Sequence, residues 1–195
     1  MDAIDPIVDF LFETGILAKT PRSGFYFLGS GSQSVAEHIT RTVFIGYVLA
    51  SMEGNIDRAR VLKMCLLHDL PEARTSDLNY VHQKYAKAEP EKAVNDLVKT
   101  LSFGQEMKAL IEEFEERKTA ESIVAKDADN LEWILSLKEQ VDIGNSRARE
   151  WMEIGIKRLK TENAKKLAHK IRETDSNNWF FSQKDDPWWV NRYKT

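Results

Sequence analysis

A mostly apolar run, Val61–Leu67, constrains the fold of this chain more than any other stretch. Its length and residue types are those of a buried helix, and Pro71 limits how far that helix can continue. The run ends in His68–Asp69, so an imidazole and a carboxylate lie side by side at the end of a buried helix. A buried carboxylate is costly unless a cation pairs with it, and histidine is a common metal ligand. The pair indicates a metal site; the alternative is a hydrogen-bonded core histidine beside a solvated aspartate.

Helical apolar periodicity recurs along the chain, and no stretch shows convincing strand alternation. Gly15 ends a first helical pattern over 4–18, and Ser34 with Glu37 forms a capping box that predicts a long helix over 34–50. The core stripe predicted for that helix comprises Val35, Ile39, Val43, Phe44, Tyr47 and Val48. Further helices are predicted over 55–68, 91–101, 104–117, 119–138, 146–160 and 162–172. The sequence therefore predicts an all-α, single-domain helical bundle.

Length and composition limit the classes of protein to consider. A chain of 195 residues is the size of one domain, and a net charge of −3 argues against a nucleic-acid partner. No apolar stretch reaches the roughly 18 residues of a membrane span, and the N-terminal residues lack the basic region of a signal peptide. The one cysteine, Cys65, excludes an internal disulfide. We therefore expect a cytoplasmic protein that binds neither a membrane nor nucleic acid.

Two histidines lie in segments that are predicted to be buried helices. His38, His68 and Asp69 would supply three ligands, a mixture of imidazole and carboxylate that suits transition metals. A fourth ligand should come from a later core helix, where both Asp127 and Asp129 are available. Helical geometry alone favours Asp127, because it lies closer to the apolar stripe of that helix than Asp129 does.

These residues resemble the HD-domain phosphohydrolase superfamily, and more narrowly the YfbR-type 5′-deoxynucleotidases and their eukaryotic relatives. The resemblance runs from about Lys19 to about Leu137 and rests on motifs in this order: Thr20-Pro21-Arg22-Ser23-Gly24-Phe25, Val35-Ala36-Glu37-His38, His68-Asp69, Glu72, Asp77 and 126–132. It implies one HD domain over 1–195, with a metal-site core at about 19–137 and C-terminal helices and an aromatic tail at about 146–195.

The resemblance also implies the identity of the metal ligands: His38, His68, Asp69 and Asp129. It conflicts with the helical pattern about Asp127, and we follow the family because Ala128-Asp129 matches its late motif. The implied cofactor is one divalent ion, which can be Mn, Co, Zn, Ni, Fe or Mg.

Three polar residues outside the ligand set are candidates for the chemistry. Arg22 can clamp phosphate in bidentate fashion, as the resemblance also implies, or be an ordinary surface arginine. Glu72, three residues after Asp69, is assigned general acid/base work. Asp77 is expected to orient water or hold the sugar 3′-hydroxyl, with Leu78 beside it in the substrate site, or else to cap the next helix.

One position departs from the YfbR-type pattern. Ser23 follows Arg22, where those enzymes carry a tryptophan that helps to position the nucleotide. We expect Phe25 or Tyr26 to bind the substrate in its place; otherwise selectivity for deoxyribose would be relaxed.

The resemblance implies a metal-dependent phosphomonoesterase, most specifically a 5′-deoxynucleotidase that converts deoxynucleoside 5′-monophosphates to deoxynucleoside and phosphate. The alternatives are a phosphatase or phosphodiesterase for another phosphorylated metabolite, and a non-catalytic module that binds metal or nucleotide. The presence of both Glu72 and Asp77 favours an enzyme, because a module that has lost catalysis need not keep them. The resemblance further implies a homodimer.

Overall fold

Helices account for the regular structure of this chain, as predicted. The computed structural model describes residues 4–182, 186 and 189, and within them the only β-type pairing is an isolated bridge between Pro21 and Ser34. A 3₁₀ helix, Gly15–Ala18, follows the first α-helix. The α-helices are α1 (Asp5–Thr14), α2 (Phe25–Leu28), α3 (Val35–Met52), α4 (Arg58–Leu67), α5 (Glu72–Thr75), α6 (His82–Tyr85), α7 (Pro90–Val98), α8 (Gly104–Glu116), α9 (Ala120–Asp142), α10 (Ser146–Ile156), α11 (Glu162–Glu173) and α12 (Asn178–Phe181).

Local capping explains where the helices of the site begin. The predicted capping box of α3 is confirmed: the backbone N–H of Glu37 donates to Ser34 Oγ at 3.2 Å, and Ser34 N–H donates to Glu37 Oε2 at 2.6 Å. Asp57 caps α4 by accepting from the N–H of Arg60 at 3.0 Å. These bonds satisfy N–H groups that have no partner within the helix, so the starts of both helices are determined locally.

Helix α9 is the central element of the bundle. It packs against α3, α4, α8, α10 and α11. Its core side chains, which lie in the main hydrophobic cluster, are almost fully buried: Val124, Ala128, Leu131, Ile134 and Leu137. A second cluster contains residues of α3, α7 and α8, and Val35 and Ile39 belong to it. Helices α3, α4 and α9 contact one another pairwise, so residues on all three can meet.

Half of the core stripe predicted for α3 is wrong. Phe44, Tyr47 and Val48 are 70%, 56% and 46% exposed. Helix α3 approaches α4 closely at Gly46, where a Cβ would lie 2.6 Å from the Sγ of Cys65. Polar and small residues therefore share the buried face of α3 with aliphatic ones: His38, Ile39, Thr42, Gly46, Leu49 and Ala50.

The C-terminal helices form approximately as predicted, although α10 ends at Ile156 rather than near residue 160. In the aromatic tail, α12 carries Trp179, which is 85% exposed. Beyond residue 182, the predicted tail lies outside the described residues, except for positions 186 and 189. Among the helices of the described part, none is both long and apolar enough to cross a membrane.

Candidate metal centre and active site

Two histidine side chains point their Nε2 atoms at one buried place. His38 lies in the first turns of α3 and His68 directly follows α4, and their Nε2 atoms are 3.2 Å apart. The opposite nitrogen of each ring faces an acceptor: His38 Nδ1 lies 2.6 Å from Glu132 Oε2, and His68 Nδ1 lies 2.9 Å from the carbonyl oxygen of Cys65. Because both partners accept hydrogen bonds, each Nδ1 can donate, and in a neutral ring this leaves the lone pair on Nε2, which faces the centre.

Two aspartates complete the cluster. Asp69 Oδ2 lies 3.4 Å from His38 Nε2 and 3.3 Å from His68 Nε2. Asp129 Oδ1, from α9, lies 3.2 Å and 3.9 Å from the same two atoms. Ligand atoms of His38, His68 and Asp69 all lie within 4.8 Å of one another, close enough for one ion. Two imidazole nitrogens and two carboxylate oxygens are a donor set that fits a divalent transition metal.

The structure separates the two candidate aspartates of α9. Asp127, which helical geometry favoured, is 1% exposed and accepts from the N–H groups of Lys160 and Thr161 at 2.9 Å and 2.7 Å. It also accepts from Thr161 Oγ1 at 2.8 Å, so it anchors the start of α11. Residues two apart on a helix point in nearly opposite directions, which is why Asp129 alone faces the histidines.

Neighbouring cations keep both clustered aspartates ionised. Burial by itself would raise the pKa of Asp69, but His68, His38 and Arg22 hold it well below its usual range. The pKa of Asp129 is likewise lowered, against the effect of burial, chiefly by Lys126 and then by the histidines. Lys126 Nζ lies 2.6 Å from Asp129 Oδ2. Asp69 is therefore not the solvated aspartate of the alternative interpretation, since its side chain is only 17% exposed.

Arg22 lies beside the cluster rather than on the open surface. Its side chain is 17% exposed, with Nη1 3.2 Å from Asp69 Oδ2 and Nε 3.5 Å from Asp77 Oδ2. Burial opposes the charge of the guanidinium, but Asp69 and Asp77 outweigh it and raise the pKa of Arg22. The structure therefore brings a fixed positive charge to the edge of the four predicted ligands.

Asp77 is tied to the loop that carries Arg22. Ser23 Oγ donates to the Asp77 carbonyl oxygen at 2.7 Å, and Ser23 N–H donates to Asp77 Oδ2 at 3.3 Å. Asp77 does not cap the next helix, α6; the N–H groups of Val81 and His82 at its start instead donate to Asn79 Oδ1, both at 3.0 Å. Ser23 occupies the position at which YfbR-type enzymes carry a tryptophan, and it joins the loop of Arg22 to the loop of Asp77.

Glu72 begins the short helix α5, directly after the turn that follows Asp69. Burial, together with the negative charges of Asp69 and Asp77, raises its pKa to about 9. Within the described part of the chain, its Oε2 atom is buried and has no hydrogen-bond partner. A carboxyl group that keeps its proton at neutral pH can act as an acid.

The remaining predicted substrate residues, Phe25, Tyr26 and Leu78, differ in how exposed they are. Phe25 is 8% exposed and packs edge-on against Trp133 with ring centroids 5.2 Å apart, so it belongs to the core and offers a substrate little surface. Tyr26, its neighbour, is 59% exposed. Leu78 lines an open depression of about 440 Å³ together with Arg74. Only Leu78 and Tyr26 of this set are accessible to a ligand.

Sequence reasoning assigned no role to Glu132, which is fully buried in α9. Its Oε1 atom accepts from Arg41 Nε at 2.9 Å, Arg41 Nη2 at 2.7 Å, Gln33 Nε2 at 2.6 Å and Ser136 Oγ at 3.0 Å. Burial would raise the pKa of Glu132, but His38 and Arg41 bring it down to about 2. The sequence did contain a signal for Glu132: it is an ionisable residue among the apolar positions of a predicted core helix, and a buried charge requires a partner.

Fold and site together define an all-helical protein with a histidine–aspartate cluster between its core helices, and this cluster is a candidate metal centre. The chain belongs to the HD-domain family, whose profile matches residues 14–173.

Curated relatives and solved structures agree with that assignment. The chain is 34% identical over 119 residues to a Dictyostelium discoideum protein named 5′-deoxynucleotidase HDDC2, covering 55% of this chain and 62% of that protein. It is 26% identical to the Bos taurus protein of the same name, covering 73% of this chain and 72% of the relative. A conserved hypothetical protein from Pyrococcus furiosus superposes with a TM-score of 0.74 at 28% identity, covering 86% of this chain and 99% of that structure.

Proposed function

We propose that this HD-domain chain is a metal-dependent phosphohydrolase that converts deoxynucleoside 5′-monophosphates to deoxynucleoside and phosphate. The observation that carries the proposal is the cluster of His38, His68 and Asp69, whose ligand atoms lie within 4.8 Å of one another. Asp129 Oδ1 lies 3.2 Å from His38 Nε2, and Arg22 Nη1 lies 3.2 Å from Asp69 Oδ2. The choice of deoxynucleotide is supported by the relatives, which are named 5′-deoxynucleotidases.

The proposed cofactor is one divalent ion, drawn from Mn, Co, Zn, Ni, Fe and Mg, held by the four converging side chains. When bound, such an ion supplies Lewis acidity to the phosphoryl group and to the attacking water. A centre lined by two buried imidazoles favours the transition metals of that set over Mg²⁺, which prefers oxygen ligands.

The other residues of the site would divide the remaining work. Arg22 would bind non-bridging oxygens of the phosphate, since a guanidinium presents paired N–H donors to such oxygens. Glu72, whose pKa is raised to about 9, would give its proton to the 5′-oxygen of the departing deoxynucleoside. Asp77 would orient the attacking water or hold the 3′-hydroxyl, and Leu78, the next residue, would contact the substrate from the open depression that it lines.

The test is a phosphate-release assay on metal-stripped protein, with Mn²⁺, Co²⁺, Zn²⁺ and Mg²⁺ added back in turn. Substrates are dAMP, dGMP and TMP beside the matching ribonucleotides, and Asp69→Ala is the matched inactive control. Phosphate from the deoxynucleotides and little from the ribonucleotides is the expected result. Metal binding without phosphate release from any nucleotide would contradict the proposal and favour another phosphorylated substrate or a non-catalytic module.

We also propose a homodimer, which the family resemblance implies, and a cytoplasmic location, which the sequence favours. The dimer is supported by the exposed apolar face of α3 that carries Phe44, Tyr47 and Val48, since such faces commonly serve as interfaces. Sedimentation of the wild type and of Phe44→Glu tests it: a dimer that dissociates in the variant is expected, and a wild-type monomer would contradict it.

A further inference from the structure

The Glu132 carboxylate uses its two oxygens for different partners. Oε2 lies 2.6 Å from His38 Nδ1, and both side chains are fully buried. Oε1 accepts from Arg41, Gln33 and Ser136. The carboxylate is thus held on one side by donors that have fixed positions, and its other oxygen faces one ring nitrogen of a predicted metal ligand.

We propose that Glu132 is a positioning residue of the metal centre, which holds a proton on Nδ1 of His38 so that Nε2 faces the metal position without one. This inference rests on the proposed metal centre and assigns it a residue outside the ligand set. Only an acceptor opposite Nδ1 selects this tautomer, and a hydrogen-bonded carboxylate also makes the ring a stronger ligand.

Arg41 makes the buried carboxylate possible. Its Nε and Nη2 atoms both bond to Glu132 Oε1, and its Nη1 atom lies 2.5 Å from Glu139 Oε1. An unpaired carboxylate at this depth would be strongly destabilising, whereas a carboxylate with a guanidinium and two further donors is satisfied. The arginine also fixes which oxygen faces His38, because a guanidinium has donors only.

The crowding of donors at Oε1 predicts what Glu132→Gln would do. Arg41 can only donate, so the amide oxygen of the glutamine must take the Oε1 position. The amide NH₂ then takes the Oε2 position and donates to His38 Nδ1. Such a donor moves the ring proton to Nε2, the atom 3.2 Å from Asp129 Oδ1, where it blocks the metal. One near-isosteric substitution therefore reverses the tautomer.

The experiment measures zinc affinity by calorimetry for the wild type, Glu132→Gln and Glu139→Gln. Glu139 is the matched control, because it bonds to the same arginine but its side chain is 45% exposed and its bond is at the outer end of the network. We expect the affinity to fall about 10- to 100-fold in Glu132→Gln and to stay within about twofold of the wild type in Glu139→Gln. An unchanged affinity in Glu132→Gln, even with a lower melting temperature, would overturn the inference.

Long-range ¹H–¹⁵N spectra of the histidine rings provide a readout that a merely structural role would not move. In the metal-free wild type, at a pH high enough for the ring to be neutral, the His38 ring, assigned by its loss in His38→Gln, should carry its proton on Nδ1. A proton on Nε2 would overturn the inference, and this measurement decides the case even if Glu132→Gln does not fold. If the wild type bound no zinc, the proposed metal centre itself would be refuted. If the wild type and Glu132→Gln bound zinc equally well, only the positioning role of Glu132 would be refuted.

Discussion

At the scale of single residues, neighbouring carboxyl groups of this site have opposite pKa shifts. The pKa of Asp69 is held well below its usual range by His68, His38 and Arg22, although burial by itself would raise it. The pKa of Glu72, three residues later, is raised to about 9 by burial and by the negative charges of Asp69 and Asp77. These opposite pKa shifts suit the two predicted roles: a metal ligand such as Asp69 must be ionised, and a general acid such as Glu72 must be protonated.

Glu72→Gln should therefore lower turnover by about 10²–10⁴-fold while metal affinity is retained. Because an acid acts in its protonated form, wild-type turnover should fall as the pH rises through the pKa of Glu72, and the residual activity of the variant should lack this decline. Steady-state kinetics across pH, with calorimetry for the metal, check both statements. Full activity in Glu72→Gln would remove this residue from the mechanism, and Asp69→Asn, which should lose metal and turnover together, is the control.

Cys65 should behave as an inert core residue. Its side chain is fully buried, and burial, with a smaller contribution from Asp129, raises the pKa of its thiol to about 12. The thiolate is the reactive form, so the folded protein should give almost no colour with a chromogenic disulfide reagent at pH 8. One thiol per chain should appear after denaturation in guanidinium. Stoichiometric labelling of the native protein would contradict the buried placement.

At the scale of elements, α9 uses successive acidic residues for separate tasks. Asp127 anchors the start of α11, Asp129 faces the histidine cluster, and Glu132 bonds to His38 and Arg41. A helix surrounded by packed neighbours presents polar groups in several directions, and each needs its own partner. Function and stability are thus assigned to residues only two or three positions apart.

Asp127→Ala and Asp129→Ala should have opposite consequences. Loss of Asp127 leaves the N–H groups of Lys160 and Thr161 without their acceptor, which should cost about 2 kcal/mol of the free energy of unfolding and lower the melting temperature by about 4–8 °C. Its metal affinity should be unchanged. Asp129→Ala should lose metal affinity instead. Thermal melts and calorimetry on both variants measure these effects. If Asp127→Ala lost metal affinity and Asp129→Ala kept it, Asp127 rather than Asp129 would be the ligand.

At the scale of the whole molecule, the site joins elements that are distant in the chain. His38, His68 and Asp129 come from α3, the end of α4 and α9, which contact one another in the core. A ligand that binds all three elements only in their folded arrangement stabilises the folded state by mass action. Metal binding should therefore increase global stability.

Addition of Zn²⁺ or Mn²⁺ at 100 times its dissociation constant should raise the free energy of unfolding by about 2.7 kcal/mol. For a chain of this size, the melting temperature should increase by about 5–10 °C, and a chelator should reverse the increase. Differential scanning fluorimetry measures the shift. Asp69→Ala should show none, and an equal shift in that variant would place the stabilising metal elsewhere.

Much of the fold follows from the sequence because its causes are local. The capping box of Ser34 and Glu37 acts over three residues, so the start of α3 was predictable. For α4 the predicted start, residue 55, lies two residues before the observed cap at Asp57. The His68–Asp69 pair and the order of the family motifs likewise identified most of the residues that the structure brings together. The family motif likewise singled out Arg22, which lies 3.2 Å from Asp69; its role as a phosphate clamp stays a prediction.

Only the tertiary structure decided which side of each helix meets which neighbour. Periodicity favoured Asp127 and placed Phe44 in the core, whereas packing turned Asp129 to the histidines and left Phe44 70% exposed. Phe25 was expected at the substrate and is packed on Trp133. Glu132 could not be linked to His38, 94 positions away, from spacing alone. The sequence by itself determines helices and chemical types, because these depend on near neighbours; partners across the core depend on the packing of the whole chain.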